Sequence, residues 1–137
     1  MTTANLKTVE VVAGLIFYQK RLLVCQRSAQ SSFPLKWEFP GGKVERGEGY
    51  EEALRRELRE ELSIQAHGLN EFFRHEHLYP EIARVNLRFF RVLDYSGEVR
   101  NLVFQQIKWV LVKELVRMDF LDADLPLVRK LGLSDRE

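Results

Sequence analysis

The chain has 137 residues, 45% of them hydrophobic and 30% charged, with a formal net charge of +1. That length supplies one core of ordinary size and not two, so residues 1–137 are read as a single domain. A near-neutral balance gives no global field for an extended nucleic acid or an anionic membrane surface, so any polyanion must be recognised locally.

The opening segment "MTTANLKTVE" lacks the basic-then-apolar pattern of a signal peptide, and the longest apolar run, 11–18, is far short of a membrane span. The single cysteine, Cys25, lies in "RLLVCQR" and has no intramolecular partner for a disulfide. It reads as a buried, inert thiol in a reducing compartment, which points to the cytoplasm.

In chain order, "VEVVAGLIFYQKRLLVCQR" predicts two strands around "YQKR", a hairpin-like connection without an Asn-Gly or Asp-Gly signal. "SAQSSFPLKWEFPGG" reads as a loop with a short extended piece at Trp37 to Phe39. A helix follows over about Tyr50 to Leu62. "FFRHEHLYP", "ARVNLRFFRVLDY" and "FQQIKWVLV" predict further strands, and "VKELVRM" and "DLPLVRKLGL" short helical segments, the second starting around Pro126. His75 and His77 alternate on one of these strands; with no third Cys or His nearby they read as strand polar residues rather than a zinc pair. Strands outnumber helices, which implies an α/β sandwich with a mixed sheet.

The stretch Gly41 to Ile64 holds seven glutamates and five Lys or Arg. Tyr50, Leu54, Leu58 and Leu62 recur at spacing four, with Ala53 beside them, and form a stripe that faces a core. Glu57, Glu60 and Glu61, at spacings of three and four, lie on one arc flanking that stripe. Spacings such as Glu51 to Arg55 and Glu52 to Arg56 fit a solvated face laced with ion pairs. The acid triplet does not, because Glu57 and Glu61 repel unless a cation sits between them. A hard ion such as Mg²⁺ or Mn²⁺ would turn that repulsion into binding. The Gly41-Gly42 turn before the helix suits a sharp bend or close approach to a ligand, and Lys43 is a candidate phosphate contact.

From Gly42, five residues lead to Glu48 and seven more to Arg56, followed by Glu57, Leu58, Arg59, Glu60, Glu61, Leu62, Ser63 and Ile64. This resembles the box of the Nudix hydrolases at every specified position but Ser63, where the family usually has glycine. The resemblance implies a Nudix α/β/α sandwich, with a mixed curved sheet between helices, that hydrolyses a nucleoside diphosphate linked to another group with Mg²⁺ or Mn²⁺. By position it implies that Glu57, Glu60 and Glu61 are metal ligands, joined by the carbonyl of Gly41 or Gly42. Arg56 and Glu48 then orient the glutamates, and the five charged residues form the catalytic set. Serine adopts the left-handed conformation less readily than glycine, so the helix cap is expected to differ or carry strain.

Over most of its length the chain is similar to the MutT-type nucleoside triphosphate pyrophosphohydrolases. "QRSAQSSFPLKWEFPGGKVERGE" and "FLDADLPLVRKL" carry that similarity, which makes Arg27, Glu38, Phe39 and Asp124 candidates for the nucleotide pocket. Each has a plainer alternative: Phe39 as core, Arg27 as a strand-end charge, Asp124 as the cap of the last helix. An Asp at that position favours a base edge that donates hydrogen bonds, such as cytosine or guanine, oxidised guanine included. The branch usually carries a further glutamate before the tryptophan matching Trp109, and here Val103 and Phe104 stand there, with Glu76 and Glu98 as conceivable replacements. Tyr79 and Pro80, which echo markers of other branches, read equally as turn residues.

The expectation is therefore a monomeric or homodimeric enzyme acting on a small nucleotide. It would cleave a nucleoside triphosphate such as 8-oxo-dGTP to the monophosphate and pyrophosphate. The alternatives are a nucleoside diphosphate sugar, ADP-ribose, dinucleotide or RNA 5′-end substrate, or a module that binds nucleotide without cleaving it.

Overall fold

In the computed structural model, which describes residues 6–135, the first apolar run forms β1 (Thr8–Leu15) and then breaks at Ile16. Only a short β2 (Phe17–Tyr18) makes the expected hairpin, with β3 (Arg21–Gln26). Its turn residues, Gln19 and Lys20, have φ of 50° and 67°. Both occupy the left-handed region that a two-residue hairpin turn requires, so the turn forms without Asn or Gly.

The chain continues through β4 (Trp37–Glu38), β5 (Gly41–Lys43), helix α1 (Tyr50–Leu62) and β6 (Gln65–Ala66). Then come β7 (Leu69–Tyr79), β8 (Ala83–Val92), β9 (Tyr95–Ser96), β10 (Gln106–Leu111) and helix α2 (Leu125–Asp135). "VKELVRM" becomes a 3₁₀ turn at Val112–Arg117, and another 3₁₀ turn, Asp122–Asp124, precedes α2. Gly41 and Gly42, expected at a bend or close to a ligand, are strand residues that pair with Ala13 and Val12.

One sheet runs β5-β1-β8-β7, with β1 and β8 parallel and the other pairs antiparallel. The other is antiparallel, β10-β3-β2, with β4 on β3. Alternation along β1 sends successive side chains to opposite faces. Val12 packs with Ala53, Leu54, Leu58 and Leu62 of α1, whereas Ala13 and Leu15 pack with Leu127, Val128 and Leu131 of α2. Helices thus cover both faces, as the α/β sandwich requires. The predicted α1 stripe is fully buried at Leu54, Leu58 and Leu62, each contributing about 1.5–3 kcal/mol. Cys25 is buried, and burial first, then Glu61 and Glu38, pushes its thiol well above the ordinary range. Among the described residues no helix is long and apolar enough to cross a membrane.

α1 ends where Ser63 itself takes the left-handed conformation, φ 61° and ψ 31°, its N–H donating to the Arg59 carbonyl. The loop after β9 then closes the helix end: Arg100 N–H donates to Leu62 O and Leu102 N–H to Glu61 O. Those bonds satisfy carbonyls that a helix terminus leaves open.

Candidate active site

The site forms where β5 crosses α1. The Gly41 N–H donates to Glu61 Oε1 at 2.9 Å, so strand and helix are joined through a glutamate of the acid triplet. A Cβ on Gly41 would collide with the Val12 carbonyl, and one on Gly42 would lie 2.5 Å from the Glu57 carboxyl carbon. Glycine is required at both positions, by the neighbouring strand at one and by the carboxylate at the other.

Arg56 organises the acids. Its Nε donates to Glu48 Oε2 at 2.7 Å and its Nη2 to Glu48 Oε1 at 3.0 Å. Its Nη1 reaches Glu57 at 2.9 Å and Glu60 at 3.3 Å, and its Nη2 also reaches the Lys43 carbonyl at 3.0 Å. The hydrogen bond from Arg56 and then the one from the Glu45 N–H hold Glu48 down to about 2. Arg55 does not pair with Glu51 as its spacing suggests; it donates to the carbonyls of Ala66 and His67 and ties α1 to the following loop.

Glu61 behaves in the opposite way. Burial first, then the charge of Glu57, pushes its carboxyl up to about 9, against the Gly41 hydrogen bond. Burial also raises Glu57, with Arg56 opposing it. Among the described residues no group of three or more His, Cys, Asp or Glu side chains stands ready to hold an ion; Arg56 engages Glu57 and Glu60, and Glu61 is turned to Gly41. The donor chemistry nonetheless fits a hard divalent cation, since all three are carboxylates, and burial first, then neighbouring acids, favours the protonated form of Glu57 and Glu61 when no cation is near.

A cavity of about 340 Å³ opens from this point, within the size range of small-molecule sites. Gly41, Gly42, Lys43 and Glu61 line one part of it, and Arg27, Glu38, Phe39 and Asp124 line the rest. The substrate-pocket candidates thus meet in one space. Arg27 is no free strand-end charge: its Nη1 lies 3.2 Å from both oxygens of Glu38, and its Nε and Nη2 hold the carbonyl and hydroxyl of Ser32. Burial raises Glu38 and Arg27 opposes that. Phe39 is buried, stacked on Phe120 at 5.1 Å, while Lys43 is exposed. Asp124 immediately precedes α2, but its buried carboxyl takes the Phe39 backbone N–H; burial, then Glu38, raises it well above its ordinary range.

Two aromatic residues outside the candidate set, Tyr79 and Phe33, also line the cavity. Tyr79 ends β7 facing the cavity, its hydroxyl hydrogen-bonded to the Ala123 backbone, and Phe33 packs on it at 5.3 Å. Strand alternation through His75, His77 and Tyr79 was the signal that could have placed Tyr79 there. A hollow of about 170 Å³ on the other side of Glu38 and Glu61 is lined by Val103 and Phe104. Neither Glu76, which pairs with Arg84 at 3.4 Å, nor Glu98 lines either space.

The NUDIX domain family matches residues 8–131. The CTP pyrophosphohydrolase of Escherichia coli is 36% identical over 123 residues, 90% of each chain. The 8-oxo-dGTP diphosphatase of the same organism is 32% identical over 127 residues, 92% of this chain and 98% of that one. Among solved structures, that of the E. coli ORF135 protein superposes with a TM-score of 0.83 at 34% identity, covering 99% of this chain and 96% of the other.

Proposed function

The chain belongs to the NUDIX family, and from that premise we propose that it hydrolyses a nucleoside triphosphate to the monophosphate and pyrophosphate. The observation that carries this is a single cavity joining Gly41, Gly42, Lys43 and Glu61 to Arg27, Glu38, Phe39 and Asp124. The glycine-strand part suits a polyphosphate; the part enclosed by Phe39 and Asp124 suits a base.

Water attacks the β-phosphorus, the bond from that phosphorus to the α–β bridging oxygen breaks, and the monophosphate leaves with the bridging oxygen. The water oxygen stays in pyrophosphate, and its proton passes to a carboxylate of the acid triplet. Glu57, Glu60 and Glu61 would hold Mg²⁺ or Mn²⁺, which when bound neutralises phosphate charge and lowers the pKa of a bound water. Arg56 keeps Glu57 and Glu60 in place and is itself fixed by Glu48. The bare backbone of Gly42 leaves room for the Glu57 carboxylate. Lys43 contacts phosphate, and Asp124 reads the base edge from a position fixed by Phe39 N–H.

Two relatives whose names specify CTP and 8-oxo-dGTP, both 30% identical or more, support cytosine and guanine triphosphates, oxidised guanine included, as the first substrates to examine. A monomer or homodimer in the reducing cytosol suits the buried thiol of Cys25. The test is incubation with Mg²⁺ and a panel of dGTP, 8-oxo-dGTP, dCTP, CTP, ADP-ribose and a nucleotide sugar, with products separated by chromatography. Monophosphate and pyrophosphate from a triphosphate, lost in Glu61→Gln, is the expected result. Turnover of ADP-ribose or the sugar nucleotide alone would overturn the triphosphate assignment.

A further inference from the structure

β7 is an edge of its sheet, 11 residues long and paired with β8 on one side. Among the described residues no backbone group of residues 69–78 bonds anything on the other side. Such an edge is a template for another strand, and proteins commonly blunt it with a bulge, a proline or lysines. Here the bulge lies at one end, between Glu71 and Phe73, and Pro80 lies beyond the other. Residues 73–77, between them, pair with β8 in unbroken register and carry charges of both signs.

That stretch is complementary to itself. Laid antiparallel on a second copy about a two-fold axis at His75, Arg74 stands opposite the partner's Glu76 and Glu76 opposite the partner's Arg74, with Phe73 and His77 paired likewise on the other face. Moving the axis to Arg74 or to Glu76 sets like charges opposite each other. The other acid of β7 is Glu71, and matching it with Arg74 centres the axis on the bulge. Within the chain Arg74 pairs with Glu71 at 2.7 Å and Glu76 with Arg84 at 3.4 Å, but Arg74 and Glu76 are each 61% exposed, and exposed pairs hold weakly. Burial, then His77 and Arg129, lowers His75 below the ordinary imidazole range, so the rings that meet at the axis meet uncharged at neutral pH. We propose that β7 is a homodimer interface, through which two copies join their sheets edge to edge over residues 73–77, Arg74 and Glu76 pairing reciprocally across the axis. A strand pair this short is small beside a standard interface of about 1,600 Å², so the dimer is reversible and fills with rising concentration.

The test is sedimentation equilibrium of the full chain up to its solubility limit, with every variant checked for folding by circular dichroism. Wild type should pass from monomer to dimer. Arg74→Glu and Glu76→Arg should each weaken the dimer on the order of tenfold or more, because each replaces two opposite-charge contacts by two like-charge ones. The double variant Arg74→Glu/Glu76→Arg should dimerise as wild type does. An equimolar mixture of the two single variants should also dimerise, since each then supplies the charge that the other lacks, whereas simple damage to the fold is not cured by mixing. Single variants that dimerise as wild type does, or a double variant and a mixture no tighter than the single variants, would overturn the proposal. So would a wild-type chain monomeric throughout, which would leave β7 as a blunted edge or a seat for a different protein. Neither Arg74 nor Glu76 lines the nucleotide cavity, so these outcomes do not depend on the triphosphate assignment.

Discussion

Arg56 grips Glu48 through two hydrogen bonds, at 2.7 and 3.0 Å, and spends its remaining nitrogen on Glu57 and Glu60. One guanidinium therefore bridges the segment before α1 to two acids of the triplet. Lysine cannot reproduce this fork. Arg56→Lys should lower kcat/KM by about 10- to 100-fold, the range typical of lost support around a metal ligand, with the fold retained by circular dichroism. Activity within twofold of wild type would show that Glu57 and Glu60 do not need the grip.

The same pair gives a pH dependence of stability. Glu48 drops from an ordinary value of 4.5 to about 2 in the folded state, first through the Arg56 hydrogen bond and then through the Glu45 N–H. A depressed acid contributes stability above its unfolded pKa and loses it as pH falls through the folded one. Urea midpoints of wild type should therefore decline between about pH 4.5 and 2 more steeply than those of Glu48→Gln. Parallel curves would mean that the pair does not persist in solution.

Gly41 and Gly42 are neighbours with different obligations, and alanine should separate them. At Gly41 the added carbon meets the Val12 carbonyl, which is backbone and cannot yield without disturbing the β1–β5 pairing. Gly41→Ala should lower the unfolding free energy by about 2–4 kcal/mol, in the upper range for single substitutions. At Gly42 it meets the Glu57 carboxylate, which can swing aside. Gly42→Ala should keep a near-wild-type Tm and lose most activity. Similar thermal shifts for both would contradict this division.

How far the sequence disclosed these arrangements depended on the range of the interaction involved. α1 was legible to its ends, because the period of its apolar residues and the spacing of Glu57, Glu60 and Glu61 are properties of one helix. The roles of Gly41 and Gly42 were half legible: the need for glycine was visible, but strand β5 arises from pairing with β1, nearly thirty positions away in the chain. The Arg27–Glu38 pair and the Asp124–Phe39 hydrogen bond join segments that only the fold brings together, so local pattern offered each residue several readings. Tyr79 was set down to a turn for the same reason; the turn is real, at Ile82 N–H to Tyr79 O, and the side chain still faces the cavity.

Crowded carboxylates should make the protein respond to a divalent ion before any substrate is added. Glu61 is pushed up to about 9 by burial and then by Glu57, so the ion-free site resists full ionisation. At a hundredfold excess over its Kd, Mg²⁺ should add about 2.7 kcal/mol to stability, a Tm rise on the order of 10 °C for a domain of this size. EDTA should reverse it. The double variant Glu57→Gln/Glu61→Gln should start from a higher Tm, with the repulsion gone, and show no response to Mg²⁺. An undiminished rise in that variant would place the ion elsewhere.

Asp124 provides the opposite sign of pH dependence from Glu48. Burial, reinforced by Glu38, raises its carboxyl well above the ordinary 3.8, so the folded protein holds a proton that the unfolded chain releases. Its contribution therefore becomes increasingly unfavourable as pH rises past the unfolded value, until the folded group itself ionises. Asn mimics the protonated acid in shape and still offers an oxygen to the Phe39 N–H. Asp124→Asn should thus be as stable as wild type at pH 4 and more stable at pH 8. Asp124→Ala strands the Phe39 N–H and should lose about 1–3 kcal/mol at either pH. In the panel of triphosphates Asp124→Asn should also shift the ranking of bases through KM, with kcat less affected, because an amide presents two fixed N–H donors and one acceptor oxygen where the protonated acid presents one O–H that can sit on either oxygen. An unchanged ranking, with the stability pattern intact, would assign Asp124 to holding the segment after β4 against the 3₁₀ turn that precedes α2 and remove it from base recognition.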